Sequence, residues 1–352
     1  MTSDKLGFGF IGAGEIAIAS AKGLRGAQHA FIARVHDARA DLAQDLAATY
    51  GGEVADSIET LLADPSVEAV YICVPHYLHK PIAVQVAGAG KHVFIEKPMG
   101  LNPDEAQAIV DACQHNGVAC GVPFVVRYAP AYSVAHRLVQ LGAIGEVTGF
   151  RLTYRGDKPR SYWSGGYSGR SPSDWRQSRA TAGGGVMIMN TIHDLDAILW
   201  ITGLDVAHVQ GVTTNTNSPG DVEDYALAIL SCSGGAVGSI EATSALPGGQ
   251  GPDHRWVSRI YGREGQIVLP SPWGSDPLAL FTRESGQWQT IATAPVADAR
   301  QRAFDEFAAA ILAGSPIPIP GEAALRASRV LHAVYQAAAQ GQRVVVPGTA
   351  GA

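Results

Sequence analysis

The sequence predicts an α/β protein in two parts. Residues 1–123 read as a doubly wound parallel sheet with helices on both faces, and residues 124–352 as an α+β domain on a mostly antiparallel sheet. Three observations predict this. Short apolar runs alternate with helical spacing through the first third of the chain, the rhythm of βαβ units. After residue 204 the runs instead alternate apolar and polar residues, the mark of half-buried antiparallel strands. And 352 residues exceed what one simple core organises.

Taken in order, 6–11 (LGFGFI) reads as the first strand and the stretch from Gly12 as its helix. Strands at 29–37, 68–75, 92–98 and 118–123 follow, each separated from the next by a helical stretch. Segment 146–155 (EVTGFRLTYR) alternates as a strand. The run 183–203 (GGGVMIMNTIHDLDAILWITG) reads as one helix that opens on three glycines and closes on a fourth. Later strands are expected in DVAHVQGVTTNT, DYALAILSCS, GAVGSIEATSA and RWVSRIYG, and two helices at 300–312 and 322–340 end the fold.

Composition narrows the class. A formal net charge of −6 provides no basic surplus for phosphates, which argues against nucleic acid or an anionic membrane as partner. Four cysteines, none in a C-x-x-C pair, fit free thiols in a reducing compartment. No stretch reaches the ~18–20 apolar residues of a membrane helix, and the N-terminal apolar run is broken by glycines and Glu15, unlike a signal peptide. A cytoplasmic protein is expected.

The loop after the first strand is Gly12-Ala13-Gly14-Glu15-Ile16-Ala17. G-x-G-x-x-A is weak alone, but here it follows a strand, opens a helix, and has Asp37 at the end of the second strand. That is the context of a dinucleotide fingerprint. Gly12 permits the tight turn, Gly14 lets backbone approach a pyrophosphate, and the helix N-terminus, with Glu15 and Ile16, faces its charge. Asp37 is placed to accept adenosine ribose hydroxyls, which favours NAD over NADP, while Arg39 two residues on softens that preference.

Ligands of such sheets bind at the carboxyl ends of the strands. There the sequence places Val74, Pro75, His76 and His79 after one strand, and Glu96-Lys97-Pro98 after another. Charged residues at a buried strand end are costly unless they meet a ligand or each other. A lysine in a partly desolvated cleft beside a nicotinamide is lowered toward neutral pKa and can exchange a proton with a substrate oxygen. Cys73, His76 and His79 lack the further ligands zinc requires, so no metal site is expected; the histidines open the next helix beside the cofactor.

These segments together resemble the Gfo/Idh/MocA family of NAD(P)-dependent oxidoreductases. GFIGAGEIA is similar to its nucleotide loop, and VPHYLHKPIAVQVAGAGKHVFIEKPM to its T-P-N-x-x-H and E-K-P segments. VVRYAPAY…IGEV (125–147), which contains Arg127 and Tyr128, is similar to its domain junction, and DWRQSRATAGGGVMIMNTIHDLD to its W-R…G-G-G…H-x-x-D segment. The resemblance implies a Rossmann domain followed by an open-faced sheet domain, with the active site between them. It implies Lys97 as main catalytic residue, Glu96 at the nicotinamide ribose, His193 at the second catalytic position, and Trp175 and Arg176 reaching the cofactor cleft. The implied substrates are secondary hydroxyls of sugars, inositols and related polyols, and the implied assembly is a dimer or tetramer through the C-terminal sheet. Two positions depart from the pattern: His76 stands where asparagine is usual, and Met189 where many members carry an aspartate.

The stretch 156–185 is rich in Gly, Ser, Arg and aromatics, and a long loop of this kind is usually functional. Tyr162, Trp163, Tyr167 and Trp175 are placed to stack on a sugar ring, and Arg160, Arg170 and Arg176 to bind hydroxyls or carboxylates. On the helix at 183–203, Ile188, Ile192, Leu195 and Leu199 share one face by i+3/i+4 spacing, which leaves His193 off the core stripe. Without an aspartate at 189, His193 is expected to bind a substrate hydroxyl and carry protons as an auxiliary to Lys97, with Asn190 also reaching substrate. The expected reaction is hydride transfer between nicotinamide and a small polyhydroxylated substrate. Alternatives are a lyase, glycosidase or epimerase that recycles its NAD through transient oxidation, and a non-catalytic NAD-sensing regulator.

Overall fold

Strands that are apolar along their whole length have to be covered on both faces, and the first strands sit that way. In the computed structural model, which describes residues 5–248, 258–274, 276–293 and 298–348, β1 (Leu6–Ile11) is buried at every position. It lies inside a six-stranded sheet with β2 (Ala30–His36), β3 (Glu53–Val54), β4 (Ala69–Ile72), β5 (His92–Ile95) and β6 (Cys120–Gly121). The order is β3-β2-β1-β4-β5-β6 and the pairings are parallel, the doubly wound arrangement in which the chain reverses its winding direction beside β1. The crossovers carry α1 (Glu15–Leu24), α2 (Ala40–Tyr50), α3 (Ile58–Ala63), α4 (His79–Gly88) and α5 (Pro103–His115).

The chain divides into two compact units. One comprises Met1–Phe124, Ser161–Gly183 and Asp298–Arg326, and the other Val125–Arg160, Gly184–Ala297 and Ala327–Ala352. The sequence suggests a single cut at 123/124, whereas two later segments return to the first unit. Aromatic packing explains one return. On helix Ala299–Leu312 (α10), Phe304 meets Phe8 and Phe94 with ring centroids 5.1 and 4.9 Å apart, and Phe307 stacks on Phe94 at 4.6 Å. The other return, Ser161–Gly183, holds α7 (Tyr162–Gly165) and α8 (Arg179–Ala182) within what reads in sequence as one long loop.

The second unit is built on a sheet of order β14-β13-β12-β11-β7-β10-β9-β8-β15. Its strands are β7 (Val147–Arg155), β8 (Val206–Thr214), β9 (Tyr225–Cys232), β10 (Val237–Thr243), β11 (Ser258–Gly262), β12 (Gly265–Leu269), β13 (Leu278–Thr282), β14 (Trp288–Ile291) and β15 (Val344–Val345). Among the described residues β7 and β10 pair in parallel and the remaining neighbours are antiparallel. The first three residues of the strand expected from residue 255 lie outside the described residues. Alternation sorts the faces: Ala226, Ala228, Leu230 and Ile240 are buried, while Val212, Leu227, Ile229 and Val237 are exposed. Among the described residues no helix is long and apolar enough to cross a membrane.

The run expected to be one helix over 183–203 is interrupted. α8 ends on Gly183, whose φ of +86° forms a left-handed C-cap. Helical structure resumes beyond Gly185, makes a π-turn over Met187–Thr191, and continues as α9 (Ile192–Thr202). A π-turn inserts a residue into the α-period, so i+3/i+4 spacing does not carry faces across it. The expected stripe is buried, but so are His193, Asp194, Asp196 and Ala197. Most of α9 is buried, so burial does not separate His193 from the stripe that the spacing picks out.

Burying Asp196 requires a partner, and Arg127 supplies it through two hydrogen bonds, Nε at 2.7 Å and a terminal nitrogen at 2.6 Å. The two side chains are 12% and 2% exposed, so removing one leaves the other charged and desolvated. Asp196→Ala is therefore expected to lower stability by about 3–5 kcal/mol. Urea denaturation of the purified variant measures this, and an unchanged midpoint would show that Arg127 is accommodated without the carboxylate.

Candidate active site

The glycine loop begins where β1 ends. Gly12 has φ +102°, and a Cβ there would stand 2.6 Å from the Cys73 carbonyl oxygen, so both conformation and space require glycine. Gly14 is the N-cap of α1 and brings no side-chain cap. The first-turn N–H groups of the helix are thus available to an anion. Asp37 follows β2; one carboxylate oxygen accepts the Ala13 N–H at 2.7 Å and the other the Arg39 N–H at 2.8 Å. The Arg39 guanidinium turns to Asp41, 2.7 Å away. Ile16 is half-buried in the first turn of α1. An uncapped helix end, a glycine turn and a strand-end carboxylate together fit the pyrophosphate and ribose of a dinucleotide.

After β4, Val74 and Pro75 are half-buried and lead into His76 and His79, both buried. Cys73 donates its thiol toward the Ile11 and Gly12 carbonyls. His76 Nδ1 lies 2.8 Å from the Ala182 carbonyl oxygen, and its ring meets Trp175 edge-on at 4.4 Å. Burial pushes the His76 imidazole well below its usual pKa, with His79 adding to the effect, so it is neutral at neutral pH. His79 spans two strand ends, with Nδ1 2.8 Å from the Pro98 carbonyl and Nε2 3.0 Å from that of Val74. These histidines tie backbone together. Among the described residues no cluster of His, Cys, Asp or Glu is arranged to hold a metal ion.

After β5 come Glu96, which is buried, and Lys97, which is half-buried. One Glu96 oxygen accepts the Tyr71 hydroxyl at 2.7 Å, and Tyr71 in turn meets Ser20 at 2.8 Å. Arg300 of α10 approaches the same carboxylate at 3.8 Å, and the second oxygen accepts the Lys97 N–H at 3.2 Å. Desolvation brings the Lys97 ammonium down to about 8; Glu96 opposes this, and Arg300 and Arg176 reinforce it. Lys97 is therefore poised to give or take a proton near neutral pH. Tyr71, Ser20 and Arg300 were not legible as parts of this site. Only the cost of burying Glu96 signalled that such partners must exist.

The segment 161–183 is more tightly bound than its composition suggests. Tyr162 and Trp163 are buried. The Arg176 guanidinium lies over the Trp175 ring at 4.5 Å and the Tyr162 ring at 5.2 Å. Arg170, expected to bind ligand, instead donates to the Ala13 and Leu42 carbonyls and pairs with Asp45 at 2.6 Å. Glu15, expected at the phosphates, accepts the N–H groups of Tyr167 and Ser168 at 3.0 and 2.8 Å.

The first unit thus collects Gly12, Gly14, Glu15, Ile16, Asp37, Arg39, Val74, Pro75, His76, His79, Glu96, Lys97, Tyr162, Trp163, Trp175 and Arg176. Arg127, Tyr128, Asn190 and His193 belong to the second. There Asn190 sits half-buried in the π-turn, and His193 meets Trp273 edge-on at 6.1 Å. Tyr128 is buried, and Arg127 is committed to Asp196. Burial raises the carboxyl of neighbouring Asp194 to about 7. Glu223, which nothing in its own segment marked, fixes the turn before this helix. Its carboxylate accepts the Gly185 N–H at 2.7 Å, the Met187 N–H at 3.0 Å and the Tyr335 hydroxyl at 2.9 Å. A Cβ on Gly185 would stand 1.8 Å from the Glu223 carbonyl oxygen, which explains that glycine by close approach.

Comparison with known proteins gives a consistent picture. A family model described as "Oxidoreductase family, NAD-binding Rossmann fold" matches residues 6–124, and the "GFO/IDH/MocA C-terminal domain" matches 132–268. A levoglucosan dehydrogenase of Pseudarthrobacter phenanthrenivorans is 29% identical over 259 residues, covering 67% of this chain and 64% of its own. A scyllo-inositol 2-dehydrogenase (NAD(+)) of Bacillus subtilis is 31% identical over 214 residues, 59% of this chain and 57% of its own. Both alignments span less than two thirds of the relative. A solved levoglucosan dehydrogenase in complex with NADH superposes with a TM-score of 0.85 at 25% identity, covering 98% of this chain and 100% of that one. With both family domains matched in order along it, the chain belongs to the Gfo/Idh/MocA oxidoreductase family.

Proposed function

We propose that the protein is an NAD-dependent oxidoreductase acting on a secondary hydroxyl, or the matching ketone, of a sugar, inositol or related polyol. The observation that carries this reading is Lys97: an amine lowered to about 8, at the carboxyl end of a strand in a parallel sheet whose glycine loop fits a dinucleotide. The activities named for the relatives, on levoglucosan and scyllo-inositol, support the substrate class. Asp37 supports NAD over NADP, because its carboxylate disfavours an added phosphate.

Bound NAD would supply the hydride acceptor. Lys97, as the neutral amine, takes the proton of the substrate hydroxyl during oxidation and, as the ammonium, returns it during reduction. Glu96, held by Tyr71 and Arg300, sets its carboxyl group beside that residue. His193 binds a substrate hydroxyl and carries protons as an auxiliary, with Asn190 as a further hydroxyl contact. The exposed face of β8, β9 and β10, with Val212, Leu227, Ile229 and Val237, is the surface proposed to pair with a second copy of the chain.

Lys97→Ala is expected to reduce turnover by at least a thousandfold while NADH binding, followed by fluorescence, stays within a few-fold; near wild-type turnover would overturn the assignment. The screen uses NAD with sugars, inositols and sugar acids, and NADH accumulation distinguishes net oxidation from internal recycling of the cofactor. In the oxidative direction kcat/KM should rise with pH and level off above about 8, because the neutral amine is the active form. In reduction it should fall through the same range, and a profile flat from pH 6 to 10 contradicts the role. Ile229→Lys should lower the molar mass measured by light scattering from an oligomer to the monomer. An unaltered mass would place the interface elsewhere.

A further inference from the structure

Residues 166–171 lie against the dinucleotide loop and touch it at two points. Glu15, the first residue of α1, accepts two successive backbone N–H groups of this segment, from Tyr167 and Ser168, at 3.0 and 2.8 Å. Arg170 donates its Nε to the carbonyl of Ala13, the middle residue of the glycine turn, at 2.8 Å. Its other nitrogens reach the Leu42 carbonyl and Asp45, both on α2.

The segment is latched by polar contacts more than by packing. Tyr167, Ser168 and Gly169 are exposed. Between α1, α2 and the segment an open groove of about 560 Å³ remains, lined in part by Ile18, Leu42, Tyr50 and Arg170. Gly166 and Gly169 flank Tyr167–Ser168 with φ of +72° and +67°, a conformation glycine adopts at no steric cost. Two positive-φ glycines within the segment and an exposed stretch between them, anchored apart from its polar bonds by one ring contact of Tyr167 with Tyr162 at 5.1 Å, are the features of a segment that opens locally while the rest of the fold stays intact.

We propose that residues 166–171 form a strap over the glycine loop, latched by Glu15 and Arg170, and that the dinucleotide leaves only when this latch opens. Arg170 and Glu15 are then positioning residues that set how long the cofactor stays. The consequence bears on whether NAD is exchanged at each turnover or retained, because a long residence time favours reactions that reoxidise the cofactor in place.

The test is stopped-flow displacement of NADH from the full-length protein by excess NAD, followed by NADH fluorescence. Arg170→Met and Glu15→Gln should each raise the dissociation rate at least tenfold while the association rate stays within twofold. The double variant should be little faster than the faster single, since both hold one strap. A damaged glycine loop would instead slow association, and that result counts against the proposal. Asp45→Asn, which removes only the exposed partner of Arg170, should raise dissociation two- to fivefold without affecting folding. Dissociation within twofold of wild type in all variants overturns the strap alone, whereas wild-type protein that forms no fluorescent NADH complex overturns the strap and the cofactor assignment together.

Discussion

A carboxylate cannot remain ionised inside a protein without partners, and Glu96 is 5% exposed. Everything around the end of β5 follows from that constraint. Tyr71 on the neighbouring strand donates its hydroxyl to Glu96, Ser20 on α1 completes the chain of hydroxyls, and Arg300 arrives from a helix about two hundred residues away in sequence. These partners bring a charge of each sign next to Lys97. Its amine is left desolvated, drawn upward by one carboxylate and downward by two guanidinium groups. The lowered pKa of Lys97 is therefore a property of the whole cluster and of the strand ends that gather it.

The same logic of compensated burial runs through the rest of the molecule. His79 joins the ends of β4 and β5, its ring set between the Pro98 and Val74 carbonyl oxygens so that its N–H donates to one of them. Glu223 satisfies backbone donors at the turn before α9, where the close approach of its own backbone demands glycine. Arg127 and Asp196 neutralise each other inside the second unit. His79 and Glu223 sit where a strand or helix starts or stops, because those are the places where backbone donors and acceptors lack partners.

Much of the fold was readable from the sequence because it rests on local pattern. Apolar runs of strand length between helical stretches predict the parallel sheet, and period-two alternation predicts β7 to β10. The glycine turn was readable because Gly12-Ala13-Gly14 follows a strand and precedes a helix. The π-turn was not, since a helical wheel assumes one constant period and nothing in MIMNT announces an inserted residue. β12 to β14 were missed because short strands with few alternations do not stand out from loop. The partners of Arg170 and Glu15 are not readable either, since sequence shows which side chains are charged, and not which backbone groups they meet.

The sequence by itself determined the order of the elements, the dinucleotide fingerprint and the placing of Lys97 at a strand end, because each depends on residues within a few positions of one another. Only the tertiary structure decided which partners those residues take. Arg300 reaches Glu96, Phe304 fills the core under the sheet, and segment 161–183 returns to lie on the glycine loop. The physical reason is that desolvation and pairing act over ångströms in space, and residues brought that close here come from opposite ends of the chain.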